Sequence, residues 1–110
     1  MSLFEANCLE LVRSIVLRRV DAKRFAVFLF GSRAENNARH GSDIDIGIWG
    51  DEKFPRRTIA EIQEELEESI IPYHVDIVDF ATVNDDFKQI ALTHVIPWNL
   101  PQNISVSLPL

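Results

Sequence analysis

Phe28-Leu29-Phe30-Gly31-Ser32-Arg33 and, a short gap later, Ser42-Asp43-Ile44-Asp45-Ile46 are the segments on which the reading of this chain turns. The first closes an apolar run, which predicts a buried strand over residues 24–30. Glycine directly after such a strand lets the backbone approach a ligand closely. A short helix opening at Gly31 and running to about Ala38 would aim N–H groups and a positive dipole end at an anion. Ser32 adds a hydroxyl donor for a phosphate oxygen. Arg33 either touches phosphate too or pairs with Glu35 or another surface carboxylate. Each half of the pattern has a plain reading by itself, a turn after a strand and the solvent face of a strand. Together they outweigh it.

The second segment alternates from Asp43 to Trp49, with Ile44, Ile46 and Ile48 on one face, as in a half-buried strand. Asp43 and Asp45 therefore share the other face, on the order of 6–7 Å apart along the backbone. Two like charges side by side repel, and aspartate is disfavoured in strands. A cation between them turns that cost into a binding site, and hard oxygen ligands select Mg²⁺, with Mn²⁺ as the alternative. Such an ion can bridge the carboxylates and a nucleoside triphosphate. A third carboxylate is expected from Tyr73-His74-Val75-Asp76-Ile77-Val78-Asp79. Val75 and Ile77 suit the core, so Asp76 points the opposite way and is the expected ligand. Asp79 has the other parity, lies at the strand's end and is the fallback. Trp49 shares the Asp43/Asp45 face, where it packs under a helix or stacks on a base.

Outward from these segments the chain reads as alternating helices and strands. Ser2 and Glu5 form a capping box for a first helix, with Phe4, Cys8, Leu11, Val12 and Ile15 at helical spacing and an end near residues 19–21. Asn36, Asn37, His40 and Gly41 suggest a loop. Pro55 opens a second long helix with Ile59, Ile62, Leu66 and Ile70 on one stripe, and Pro72 stops it. A third strand spans residues 74–79, and Asn84 caps a last helix to about Thr93. Beyond Pro97 the tail is harder to read, with a late strand over Ile104, Val106 and Leu108 as one option. The expected fold is α+β, with a small mixed sheet covered by helices on one side. A single domain over residues 1–96 is followed by a tail, 97–110.

Composition narrows the function. The 110 residues allow one modest core and no separate substrate domain. One cysteine, Cys8, excludes an internal disulfide and fits a reducing compartment. The N-terminus lacks the pattern of a signal peptide, and no apolar run is long enough to span a bilayer, so a cytoplasmic location is expected. Net charge is −6, spread as +3 over residues 1–40 and −9 over residues 41–110. Such acidity argues against a long nucleic-acid substrate, whereas a metal-chelated nucleotide remains compatible.

Gly31-Ser32, Asp43-Ile44-Asp45 and Asp76, each beside a strand, resemble the minimal nucleotidyltransferases of the DNA polymerase β superfamily over residues 24–80. The resemblance implies a polymerase β-like nucleotidyltransferase fold. It implies that Asp43 and Asp45 bind both metals and that Asp76 binds the catalytic one and helps deprotonate the attacking hydroxyl. Many relatives read Gly-Ser-Arg-Ala-Arg-Gly, and here Glu35 and Asn36 follow Ala34, so a second arginine is missing. The run from Val75 to Thr82, with Asp86-Phe87, resembles members paired with an all-helical HEPN-type protein. That implies a protein adenylyltransferase, the antitoxin of such a pair, adding AMP from ATP to a partner hydroxyl. The alternative is a non-catalytic nucleotide-binding module that neutralises the helical partner by binding. A small-molecule nucleotidyltransferase of the aminoglycoside-modifying kind is a third reading, for which the chain offers little room. The base of the nucleotide, the acceptor and the oligomeric state are not legible in the sequence.

Overall fold

The computed structural model describes residues 2–35, 43–106 and 108. Helix α1 spans Leu3–Leu17, β1 Phe25–Phe30, a single 3₁₀ turn Gly31–Arg33, β2 Ile44–Gly50 and α2 Arg56–Glu68. Strand β3 spans Val75–Asp79, α3 Asp85–Ala91 and β4 Ile96–Asn99. Local chemistry sets the helix starts. The Ser2 hydroxyl oxygen accepts from the Glu5 N–H at 3.1 Å, and Asn84 Oδ1 accepts from the Phe87 N–H at 2.8 Å. Each satisfies an N–H that the first helical turn leaves without an internal partner.

The four strands form one sheet in the order β3-β2-β1-β4. Strand β1 runs antiparallel to both neighbours, and β2 pairs in parallel with β3, so the sheet is mixed. A parallel pair needs a crossover, and α2 supplies it. All six residues of β1 are buried. Phe25, Val27 and Leu29 join Ile44, Ile46, Ile48 and Val75 beneath Val12, Ile15 and Val16 of α1 and Ile62 and Leu66 of α2. Ala26, Phe28 and Phe30 pack on the opposite face with Phe80. There Phe87 of α3 adds its ring, 6.2 Å from Phe30 and 5.8 Å from Phe80. Helices thus lie against both faces rather than one, because both parities of β1 are apolar. Opposite Phe28 lies Gly47, where a Cβ would collide with the Phe28 ring.

Several expectations change in the structure. Helix α2 ends at Glu68, where Ser69 caps it and donates its hydroxyl to the Leu66 carbonyl at 2.6 Å. Ile70, expected on the buried stripe, is consequently 87% exposed. A fourth strand forms at Ile96–Asn99, so the boundary expected after residue 96 falls inside β4. Pro97 is tolerated there because β4 is an edge strand paired on one side only. Residues 102–105 form bends in place of the late strand, with Ser105 tied to Asp51 through its N–H at 3.0 Å and its hydroxyl. The expected continuation of the Gly31 helix to Ala38, and the loop through Asn36, Asn37, His40 and Gly41, lie outside the described residues.

Candidate active site

Sheet register brings the predicted carboxylates together. Phe30 pairs with Asp45 across β1 and β2, and Asp45 pairs with Asp76 across β2 and β3. Residues in register point to the same face, so Asp45 and Asp76 stand side by side on strands about 4.8 Å apart. Asp43 lies just before β2 and is exposed. The end of β1 completes the row. Gly31 has φ +72°, and a Cβ built there would lie 2.5 Å from Asp45 Oδ2. Only glycine combines that backbone with that approach. The 3₁₀ turn is held by the Ala34 and Glu35 N–H groups, which donate to the Gly31 carbonyl at 3.1 and 3.3 Å. Ser32 sits in this turn, half-buried, next to the row.

Electrostatics mark Asp45 as the centre. Burial raises its pKa above the ordinary 3.8, and the neighbouring charges of Asp76 and Asp43 raise it further. These are the signs of like charges crowded at a partly buried position, offset only in part by the neighbouring His74. His74 joins the group from the start of β3. Its Nε2 lies 2.9 Å from Asp76 Oδ1, and that hydrogen bond, with the Asp76 charge, raises the imidazole pKa above its ordinary 6.5. His74 was not anticipated as part of the site. The signal was available, since positions 74 and 76 of one strand share a face.

Two other residues take roles unlike those expected. The Arg33 side chain is 2% exposed and turned inward, with Nη1 3.0 Å from Glu5 Oε2 and its guanidinium 4.8 Å from the Tyr73 ring centroid. It ties the turn to α1 and to the residues before β3. Among the described residues it forms an ion pair with Glu5 on α1. Asp79, the fallback ligand, is 8% exposed, and its carboxylate accepts from the N–H groups of Phe54 and Ala81, both at 3.0 Å. It anchors the chain after β2 and the turn after β3. Trp49 packs under α3, with its ring 5.9 Å from Phe80 and 5.1 Å from Lys88 Nζ.

Among the described residues no three carboxylate, imidazole or thiol groups are arranged to hold an ion by themselves. The donor set still fits Mg²⁺ in chemistry: hard oxygens, mutually repelling, open to one side. Mg²⁺ takes one or two carboxylates and fills its shell with water and substrate phosphates, so a closed protein cage is not its usual site. Among the described residues no helix is long and apolar enough to cross a membrane.

The fold agrees with comparisons to known proteins. A Haemophilus influenzae protein named "Probable protein adenylyltransferase MntA" is 35% identical over 66 residues, or 60% of this chain and 58% of that protein. The chain thus spans less than two thirds of the length of that relative. Among solved structures, a toxin–antitoxin complex with AMP-PNP superposes with a TM-score of 0.65 at 22% identity, covering 86% of this chain and 73% of that one. A tri-AMPylated HEPN toxin in complex with MNT antitoxin, from Shewanella oneidensis, gives a TM-score of 0.57 at 22% identity over 83% of this chain and 72% of that one. Residues 19–96, which hold the 3₁₀ turn and all three site aspartates, match the family described as Polymerase beta, Nucleotidyltransferase, and the chain belongs to that family.

Proposed function

We propose that this chain transfers a nucleoside monophosphate, AMP from ATP, to a hydroxyl of a helical HEPN-type partner protein, as the antitoxin half of a toxin–antitoxin pair. The observation that carries the transfer is the row Gly31, Asp45, Asp76, set by sheet register with glycine backbone pressed against a carboxylate. The similarity to a protein named as a protein adenylyltransferase, and to structures of toxin–antitoxin pairs that include an AMPylated HEPN toxin, supports the acceptor.

Each residue has a task in this reading. Gly31 brings backbone close to the triphosphate, and the Ser32 hydroxyl donates to a phosphate oxygen. Asp43, Asp45 and Asp76 would hold Mg²⁺. When bound, the metal neutralises the triphosphate and the charge growing on the leaving group. The acceptor oxygen forms a bond to the α-phosphorus while the bond to the pyrophosphate oxygen breaks. Asp76 takes the hydroxyl proton, and His74 holds its carboxylate in orientation through Oδ1. Most of the gain is positional, since nucleotide and acceptor must meet in line at one point.

The test is to co-express the chain with a HEPN-type helical protein and weigh that protein intact. A mass gain of AMP with the wild-type chain, and none with Asp43→Asn/Asp45→Asn, is the expected result. An unmodified partner that both forms bind and silence equally would favour neutralisation by binding.

A further inference from the structure

Resting on the nucleotide-transfer reading, we infer that Glu5 and Tyr73, acting through Arg33, are positioning residues that set the phosphate-holding turn against Asp76. The first turn of α1 then belongs to the working site, although Ser2 and Glu5 lie outside residues 19–96, which match the family. Gly31 and Arg33 are the two ends of the 3₁₀ turn, and Ser32 stands between them. The Gly31 end is fixed by its close approach to Asp45. The Arg33 end is fixed by its guanidinium, with Nη1 3.0 Å from Glu5 Oε2 and its centre 4.8 Å from the Tyr73 ring centroid. The Ser32 hydroxyl is thus carried between two fixed points.

Both partners of Arg33 are themselves held. The Glu5 N–H donates to Ser2 Oγ at 3.1 Å, and the Ser2 hydroxyl donates to Glu5 Oε1 at 3.3 Å, which leaves Oε2 for the arginine. The Tyr73 ring lies beside Phe4 of α1, with centroids 6.4 Å apart. Tyr73 directly precedes His74, whose Nε2 lies 2.9 Å from Asp76 Oδ1. The clamp therefore runs from the phosphate turn, by way of α1, to the backbone that carries Asp76. Stability alone explains it poorly. The Arg33 side chain is 2% exposed and that of Glu5 15%. Desolvating two charges offsets much of their attraction, and apolar side chains of similar volume fill such space at no such cost. What the ion pair adds is direction, because a planar guanidinium held by a carboxylate and set over a ring has a defined orientation. Direction matters here, since a misplacement of about 1 Å can cost about a hundredfold in rate.

The test compares Glu5→Gln, Tyr73→Leu and Tyr73→Phe in the full chain, at a temperature where circular dichroism shows each one folded. The readouts are AMP transfer to a HEPN-type partner, resolved into kcat and KM, and calorimetric binding of inorganic tripolyphosphate with Mg²⁺. Glu5→Gln and Tyr73→Leu should each lower kcat about tenfold, with KM for the partner changed by less than about twofold. Each should weaken tripolyphosphate about threefold. Tyr73→Phe keeps the ring and should recover most of the lost kcat. Combining Glu5→Gln with Tyr73→Leu should cost less than the product of the two single effects, since both act through Arg33. Wild-type kcat and tripolyphosphate affinity in Glu5→Gln would overturn the proposal and leave the clamp a structural tie. Tighter tripolyphosphate binding in Glu5→Gln would overturn it too, because an arginine released from Glu5 would then be reaching the phosphates. Should Glu5→Gln not fold, equal kcat in Tyr73→Leu and Tyr73→Phe would overturn it instead. A wild-type chain that binds Mg²⁺ and tripolyphosphate yet adds no AMP to the partner would overturn the transfer reading, and the binding data would then decide the clamp by themselves.

Discussion

At the scale of single residues, the site is a set of local costs that a ligand would relieve. Asp45 holds its proton more readily in the folded chain than in the unfolded one. Stability of the apo protein should therefore fall as pH rises from about 3.8 through the raised folded value, because the unfolded state binds fewer protons there. Asp45→Asn removes that loss. Its apo melting temperature at neutral pH should equal or exceed wild type, with the difference shrinking as pH falls, while transfer is abolished. A loss of ~2 kcal/mol or more in thermal or urea unfolding would instead assign Asp45 a structural hydrogen-bonding role. Gly31 carries a cost of the opposite kind. Gly31→Ala forces a side chain into the left-handed region at about 1–2 kcal/mol and drives its Cβ into Asp45. Urea unfolding should show at least that loss, and ATP binding should fall with it. Wild-type stability and affinity in this variant would mean that the close approach has no function.

Elements place these residues, and here the sequence was legible wherever the signal was local. Ser2 and Asn84 were readable as caps because each bonds an N–H three residues on. Strands β1, β2 and β3 were readable from apolar runs and alternation, and parity turned Asp43 and Asp45, and Asp76 on its own strand, away from the isoleucine and valine faces; the register that sets Asp45 beside Asp76 was not readable. What escaped depended on distant partners. Strand β4 contains a proline and acquires its identity only by lying along β1, where Asn99 Nδ2 donates to the Ala22 and Phe25 carbonyls at 2.8 and 2.7 Å. Arg33 could not be assigned because its partner Glu5 lies on α1, 28 positions away. Asp79, the fallback ligand, owes its anchoring role to Phe54, a partner 25 positions away. The Arg33 assignment leads to a prediction for α1. Arg33→Met removes one partner of a buried pair and should cost about 2–4 kcal/mol in urea unfolding without nucleotide present. Adding Glu5→Gln should recover part of it, since the Glu5 carboxylate then no longer carries its charge beside the vacated guanidinium site. If Arg33→Met were as stable as wild type yet bound ATP poorly, the arginine would be a phosphate ligand after all.

For the whole molecule, the question is how so acidic a chain would hold the triphosphate proposed for it. Residues 41–110 carry −9, and the described site contributes three carboxylates against one imidazole. The basic excess of +3 lies in residues 1–40. Part of it is committed elsewhere: Arg18 and Arg19 pair with Glu65 on α2, and Arg33 with Glu5. Nucleotide alone should thus be repelled, and Mg²⁺ alone should bind weakly because it lacks the phosphate oxygens that complete its shell. The two ligands should be strongly cooperative. Ligand that binds only the folded state stabilises it by RT ln(1 + [L]/Kd), about 2.7 kcal/mol at a hundredfold excess over Kd. Thermal unfolding with ATP in EDTA, with Mg²⁺ alone and with both should show a large rise only with both. Asp43→Asn/Asp45→Asn should lose that rise and keep its apo stability. An equal rise with ATP in EDTA would mean that protein groups alone neutralise the phosphates, and the three-aspartate site would have to be abandoned.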